Sequence, residues 1–148
     1  MVSFSISANE SFAQFGEYNA SYVVGNESGL YSLKTYNYLP DFVGANKNWA
    51  LEGQGLLYGK TPLKGQTEKS FPAIIDTGSS TLGVPAKMYA ELKQNWLKET
   101  DEKLDCQSND DFCQMNAVTC DVLQKKVKPI GFQMNGKVFE VPPSVYLF

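Results

Sequence analysis

The sequence contains neither arginine nor histidine, so all 13 of its basic residues are lysines. Without histidine the chain cannot build a Ser-His-Asp or Cys-His catalytic triad. For the same reason it cannot build a histidine-ligated metal site. Any chemistry that this chain performs must therefore use carboxylates, hydroxyls or thiols.

Long apolar runs and clusters of positive charge are also missing. No run approaches the length of a transmembrane helix, so we expect no membrane span in this chain. The net charge is −3 and no basic cluster is present, which argues against a nucleic-acid partner. Residues 1–4 lack the charged and apolar regions of a signal peptide. We therefore expect Met1 to be a start codon placed on an internal fragment.

Cysteine is scarce, with Cys106, Cys113 and Cys120 lying close together in one segment. Three thiols at this spacing match no common zinc pattern, so we expect no metal site and no cofactor. The alternatives for these residues are disulfide bonds in a secreted protein or three free thiols in a cytosolic one.

The composition is that of a folded protein, with 43% hydrophobic and 13% aromatic residues. A chain of 148 residues can form a real core, and we predict a single domain over residues 1–148. Short apolar stretches between turn residues predict many short strands. These candidate strands are 2–8, 22–24, 30–33, 49–51, 55–58 and 71–75. The last stretch is continuously apolar, which predicts burial on both of its faces.

One helix and one hairpin stand out from this pattern. Pro85 suits the first position of a helix, and Met88, Leu92 and Trp96 follow at intervals of four to give one apolar face. An Asn-Gly pair at 135–136 separates two alternating apolar runs, which predicts a tight hairpin turn with positive φ at both residues. Many strands with one helix predict a mainly β fold.

The run Asp-Thr-Gly-Ser-Ser at 76–80 is the candidate for chemistry. Taken alone it is an ordinary turn, since Asp and Gly are common turn residues. Its context differs, because an apolar strand precedes it and the predicted helix follows. An ionisable Asp76 at the end of a buried strand is costly unless it is hydrogen-bonded or functional. Asp41 is a weaker candidate, since it follows Pro40 in a loop and has no Thr-Gly after it.

Residues 73–80, followed by an apolar run and the Pro85 helix, resemble the active-site segment of pepsin-like aspartic proteases of family A1. The resemblance is closest to the second, C-terminal copy of that segment. That copy more often has Thr where Ser79 stands, but either residue supplies a hydroxyl. Further segments match in the same order along the chain: 15–19, 49–51, 120, 129–136 and 141–147. The chain is thus identified as part of the C-terminal lobe of a eukaryotic aspartic protease.

The resemblance implies an aspartic-type endopeptidase that acts on polypeptide substrates. Two lobes each contribute one Asp, and the two carboxyls share a proton while they activate a water molecule. Asp76 would be one of this pair. Thr77 would bond the opposite loop, Gly78 would let its N–H approach the carboxylate, and Ser79 would donate a hydrogen bond to Asp76.

The resemblance also implies what this chain lacks and how its cysteines pair. The N-terminal lobe of the same protein, which is the implied partner, and the final strands of the C-terminal lobe are absent, so we expect the isolated fragment to be inactive. Cys120 would pair with a cysteine beyond Phe148, which leaves Cys106 and Cys113 to form a local disulfide.

Three Asn-x-Ser sequons near one end begin at Asn9, Asn19 and Asn26. They are candidate glycosylation sites and favour a secretory destination, either extracellular or in a lysosome or vacuole. Coincidence in a sequence rich in Asn and Ser is the alternative.

Two other functions compete with the two-lobed protease. In one, the domain forms a homodimer through an exposed lobe interface, and Asp76 pairs with its symmetry mate. In the other, the chain belongs to a non-catalytic relative that binds peptides or proteins.

Overall fold

The computed structural model describes residues 2–6, 11–23, 25–33, 35, 49–66, 69–100, 105–106, 113–114 and 119–147. The chain divides into two compact units, Met1–Ser32 and Leu33–Phe148. The prediction of one domain over 1–148 stays a prediction. Pro40 and Asp41 lie outside the described residues.

The first unit contains a two-stranded antiparallel hairpin and two short 3₁₀ helices. Strands β1 (Val2–Ile6) and β2 (Ser11–Phe15) pair so that Val2 lies opposite Phe15 and Ile6 lies opposite Ser11. The 3₁₀ helices span Ala20–Tyr22 and Asn26–Gly29. The Phe12 ring meets the edge of the Tyr22 ring at a centroid distance of 5.2 Å.

Two of the predicted strands in this unit were wrong. Residues 22–23 lie at the end of the first 3₁₀ helix, and residues 30–33 form no strand; Val24 lies outside the described residues. The side chain of Asn19 accepts a hydrogen bond from Ser21 N, and this local cap favours a helical turn over an extended chain.

The second unit is built around one long strand. β3 (Ala50–Tyr58) pairs antiparallel with β8 (Ile130–Met134) along one edge. Along its other edge it pairs with β4 (Thr61–Pro62) and β5 (Phe71–Ile74). Two more strand pairings occur within the described residues. β6 (Asp105–Cys106) pairs with β7 (Cys113–Gln114), and the outer strand β9 (Lys137–Val141) pairs with β8.

The predicted hairpin is confirmed as β8 and β9. Its turn residues Asn135 and Gly136 have φ values of 48° and 72°, so both adopt the left-handed conformation that the Asn-Gly pair favours. The fold class is confirmed as mainly β, with antiparallel sheets and few helices.

The predicted helix is confirmed as α1 (Ala86–Thr100), which packs on the sheet. Its residues Met88 and Leu92 and the β3 residue Leu56 are each only 1% exposed. Burying side chains of this size contributes about 1.5–3 kcal/mol each. Trp96, one turn further, is half-buried and stacks on Tyr146 with a centroid distance of 5.9 Å.

Two α-helices were not predicted, namely α2 (Cys120–Lys126) and α3 (Pro143–Tyr146). They contain 7 and 4 residues. Such short segments hold too few turns to produce a helical apolar pattern. Buried Leu123 is the one residue of α2 in the core.

Candidate active site

The candidate catalytic loop leaves the sheet at the end of β5. Within the sheet, Ala73 lies opposite Leu51 and Ile74 lies opposite Ala50. Among the described residues, this ladder continues with a backbone hydrogen bond from Ile75 N to Trp49 O, at 2.8 Å. Asp76 follows directly, so the sheet fixes the point from which it projects.

A tight turn orients the carboxyl group of Asp76. Its Oδ1 accepts a hydrogen bond from Gly78 N at 2.9 Å, and its carbonyl oxygen accepts one from Ser79 N at 3.4 Å. A Cβ added to Gly78 would stand 3.2 Å from that same Oδ1, which is tighter than ordinary van der Waals contact. The absence of a side chain at 78 therefore lets the backbone N–H approach the carboxylate closely.

The serine of the motif has a different partner from the one expected. Ser79 Oγ donates to Thr81 O at 3.1 Å and accepts from Thr81 N at 3.4 Å. A hydroxyl has one proton to donate, so here it does not donate to Asp76. The expected hydrogen bond from Ser79 to the carboxyl is thus corrected to a local bond that shapes the next turn. Thr77 is exposed.

The surface around the carboxyl group is exposed and partly apolar. Every residue from 74 to 83 is exposed, Asp76 among them. Ile75 is 52% exposed, Leu82 is 46% exposed, and the neighbouring Trp49 is 73% exposed. We call these three side chains the loop surface. The prediction that strand 71–75 is buried on both faces was wrong, because Ile74, which is still paired with Ala50, is 43% exposed and Ile75 is 52% exposed.

The far end of the loop is anchored by α1 and the core. Just before the helix begins, Val84 packs against the hydrophobic core that contains Leu56 and Met88. On α1, Glu91 Oε2 accepts hydrogen bonds from Lys64 N at 2.7 Å and Gly65 N at 3.0 Å. A Cβ on Gly65 would stand 2.7 Å from the backbone carbon of Lys87, so the turn after β4 lies directly against the helix. The loop is thus held between a sheet ladder and a docked helix.

A polar network at the other end of α1 was missed by the sequence reasoning. The hydroxyl of Tyr58, a residue that is 4% exposed, donates to Glu99 Oε2 at 2.5 Å and accepts from Lys128 N at 3.1 Å. Lys128 Nζ forms an ion pair with Glu99, and Tyr146 donates its hydroxyl hydrogen to Lys128 O at 2.7 Å. The partners are far apart in sequence, so no local pattern could have revealed them.

Burial perturbs both tyrosines of this network. It raises the pKa of Tyr58 well above its ordinary value, and the hydrogen bond to Glu99 raises it further. Burial, with a smaller contribution from the negative charge of Glu99, raises the pKa of Tyr146 to about 12. Both hydroxyls therefore stay protonated as donors at alkaline pH values at which an ordinary tyrosine would ionise. The network joins the C-terminal end of α1 to the end of β3.

The other predicted site residues are the three cysteines and the three sequon asparagines, and both groups lie away from the loop in sequence. Cys106 and Cys113 are directly opposite each other in the β6–β7 pair, while Cys120 forms no disulfide within the described part of the chain. Asn19 is exposed, Asn26 begins the second 3₁₀ helix, and Asn9 lies outside the described residues.

The described residues contain no group of three or more His, Cys, Asp or Glu side chains that could hold a metal ion. Within the same residues, no helix combines the length and the apolar character needed to cross a membrane.

What the loop can do chemically follows from its geometry. One oriented, solvent-accessible carboxyl can accept or donate a proton to water or to a bound substrate. A reaction that needs a second carboxyl must obtain it from elsewhere, since the loop supplies only Asp76.

Comparisons with known proteins identify the family. A search of the curated proteins found no match. The family model described as eukaryotic aspartyl protease matches residues 3–148. Because this match covers nearly all of its 148 residues, the chain belongs to the eukaryotic aspartyl protease family.

Proposed function

We propose that the chain forms part of the C-terminal lobe of an aspartic-type endopeptidase and supplies Asp76 as one of its two catalytic carboxyls. The observation that carries the proposal is the loop after β5, where an exposed Asp76 accepts the backbone N–H of Gly78 at 2.9 Å. Membership in a protease family supports polypeptides as the substrate class.

The proposed reaction is hydrolysis of a peptide bond by two carboxyls and one water. Aspartic proteases are the standard example of two neighbouring carboxyls that cannot both ionise and therefore share a proton. The ionised carboxyl takes a proton from water, whose oxygen attacks the peptide carbonyl carbon, and the protonated one donates to the carbonyl oxygen. The pair titrates as a unit, so neither role belongs to Asp76 alone.

The loop surface favours a second protein body as the source of the other carboxyl. Trp49 is joined to Ile75 by a backbone hydrogen bond, Leu82 lies further along the same loop, and all three side chains are about half exposed or more. Exposed apolar side chains can form an interaction surface. The N-terminal lobe of the same protein is our candidate for this body. A second copy of the chain, which would bring its own Asp76, is the alternative that the same surface favours.

Replacement of one carboxyl tests the assignment of Asp76. In the full-length protein, Asp76→Asn should lower kcat on an unfolded protein substrate at acid pH by about 10²–10⁴-fold or more, the usual contribution of an acid–base group. Asp121→Asn, the same chemical change at an exposed position on α2, is the matched control and should leave kcat unchanged. Full activity of Asp76→Asn, with the control also active, would refute the assignment.

Experiments on the isolated chain distinguish the two proposed sources of the second carboxyl, the N-terminal lobe and a second copy of the chain. Sedimentation and activity are measured together over a range of protein concentrations, with pepstatin to identify aspartic protease activity. We expect no cleavage, because one carboxyl cannot form the pair. Cleavage that rises with dimer formation would favour the homodimer, and cleavage by a strict monomer would contradict both.

We further propose a secretory destination, extracellular or in a lysosome or vacuole, and a disulfide between Cys106 and Cys113. The register of β6 and β7 supports the disulfide, because directly opposed residues in an antiparallel pair have Cα atoms about 4.5–5.5 Å apart. That separation lies within the range that a disulfide spans. Disulfides persist in secreted proteins and are rare in the cytosol.

A further inference from the structure

Two Asn-x-Ser sequons of the first unit differ in where the serine hydroxyl points. In the sequon that begins at Asn19, Ser21 Oγ donates to Asn19 Oδ1 at 2.8 Å, and Ser21 N donates to the same atom at 3.0 Å. In the sequon that begins at Asn26, Ser28 Oγ donates instead to the backbone carbonyl of Gly25. The sequence motif is the same, but the Ser21 hydroxyl donates to the carboxamide of its own asparagine, whereas the Ser28 hydroxyl donates to the backbone.

We propose that Asn19 is an N-glycan acceptor and is modified more completely than Asn26. The proposal depends on the secretory destination and is independent of the assignment of Asp76. Asn19, Ala20 and Ser21 are all exposed, so a bulky glycan can project into solvent from this turn.

The geometry identifies the reacting atom. A backbone N–H can only donate, so the side-chain atom of Asn19 that faces Ser21 N is the carbonyl oxygen. Nδ2 is therefore on the other branch of the carboxamide. In the transfer, Nδ2 forms a bond to the anomeric carbon of a lipid-linked oligosaccharide diphosphate, the bond from that carbon to the diphosphate oxygen breaks, and Nδ2 loses one proton to a base.

The two donors at Oδ1 promote this reaction. As Nδ2 loses its proton, negative charge develops on the amide oxygen, and the N–H and hydroxyl of Ser21 lie where they stabilise it. The Ser28 hydroxyl donates its hydrogen bond to Gly25 O and would have to break it before it could donate to Asn26. One hydrogen bond corresponds to about a tenfold difference in an equilibrium or rate.

The product is compatible with the fold. The N-glycosidic bond leaves the carbonyl of Asn19 in place, so both hydrogen bonds from Ser21 survive modification. Asn19 also caps the 3₁₀ helix Ala20–Tyr22 through these bonds. The glycan is therefore added without loss of the cap.

Site occupancy tests the proposal. The full chain is directed into the secretory pathway of a eukaryotic host by an added leader, then treated with peptide N-glycosidase in H₂¹⁸O. Glycosylated asparagines become ¹⁸O-labelled aspartates, which peptide mass spectrometry quantifies. Asn135, followed by Gly136 and in no sequon, measures the background of spontaneous deamidation.

We expect the ratio of labelled to unlabelled peptide to be about tenfold higher at Asn19 than at Asn26. Ser21→Ala should abolish labelling at Asn19 and leave Asn26 unchanged, while Ser21→Thr, which keeps the hydroxyl, should preserve it. Labelling of Asn19 at the Asn135 background, or equal labelling of Asn19 and Asn26, would overturn the proposal. Neither readout depends on protease activity.

Discussion

Removal of the Tyr58 hydroxyl should destabilise the second unit, because that one group joins β3, α1 and the segment before β8. The side chain is 4% exposed, and its hydroxyl donates to Glu99 Oε2 and accepts from Lys128 N. Tyr58→Phe keeps the ring and its packing but deletes both hydrogen bonds. Glu99 retains its ion pair with Lys128.

The magnitude follows from these partners. A hydrogen bond to a charged group contributes about 1.5–3 kcal/mol, and a backbone N–H left without a partner adds to the loss. We therefore expect the free energy of unfolding to fall by about 2–3 kcal/mol. With a urea dependence of about 1–3 kcal/mol per molar, the unfolding midpoint should fall by about 0.7–3 M.

Equilibrium unfolding in urea, followed by tryptophan fluorescence and circular dichroism, measures this change. Tyr22→Phe is the matched control, because that residue is 55% exposed, and it should change stability by less than about 0.5 kcal/mol. The double variant Tyr58→Phe with Glu99→Gln should be less destabilised than the sum of the single variants. If Tyr58→Phe matched the control, or if the two changes were additive, the network would not stabilise the fold as argued.

Three further predictions concern the loop, the alkaline limit of stability and the cysteines. In the full-length enzyme, Gly78→Ala should lower kcat about tenfold or more, because the new Cβ would displace the Asp76 carboxyl. Gly83→Ala, whose Cβ would meet no described atom within 4 Å, is the control and should leave kcat unchanged. Equal rates for the two variants would contradict this prediction. The free energy of unfolding should fall between pH 10 and about pH 12. The pKa of Tyr146 is raised from 10.0 to about 12 in the folded chain, so in this pH range the unfolded chain has released a proton that the folded chain still holds. Tyr146→Phe should show a smaller fall in urea titrations at those pH values, and an unchanged fall would refute the cause. Mass spectrometry of non-reduced peptides from secreted protein should find Cys106 linked to Cys113, and free thiols at both positions would exclude the disulfide.

Local patterns predicted the parts of the fold that depend on local sequence. Met88 and Leu92 are four residues apart, a spacing that places both on one face of a helix, and both are buried on α1. The Asn-Gly pair at 135–136 carries its own backbone preference, and the hairpin follows that as well. The motif at 76–80 was placed correctly after a strand and before a helix.

The errors occur where local sequence carries too little information. Tyr22 and Val23 have high strand propensity, yet the carboxamide of Asn19 caps a helical turn there. Ile75 is apolar and was predicted to be buried, yet it is 52% exposed. An apolar pattern does not identify which other residues would pack against the side chain. The bond between Tyr58 and Glu99 joins residues 41 positions apart, and only the assembled sheet and helix bring them together.

The central position of β3 has a consequence for synthesis on the ribosome. Its edge that pairs with β8 cannot be satisfied until Ile130–Met134 has been translated and has left the exit tunnel. Until then the nascent chain carries Ala50–Tyr58 with open backbone donors and acceptors. Unpaired strand edges recruit other chains and lead to aggregation. Yield in a cell should therefore depend on chaperone supply while residues 59–129 are being made, and it should improve when translation of that stretch is fast.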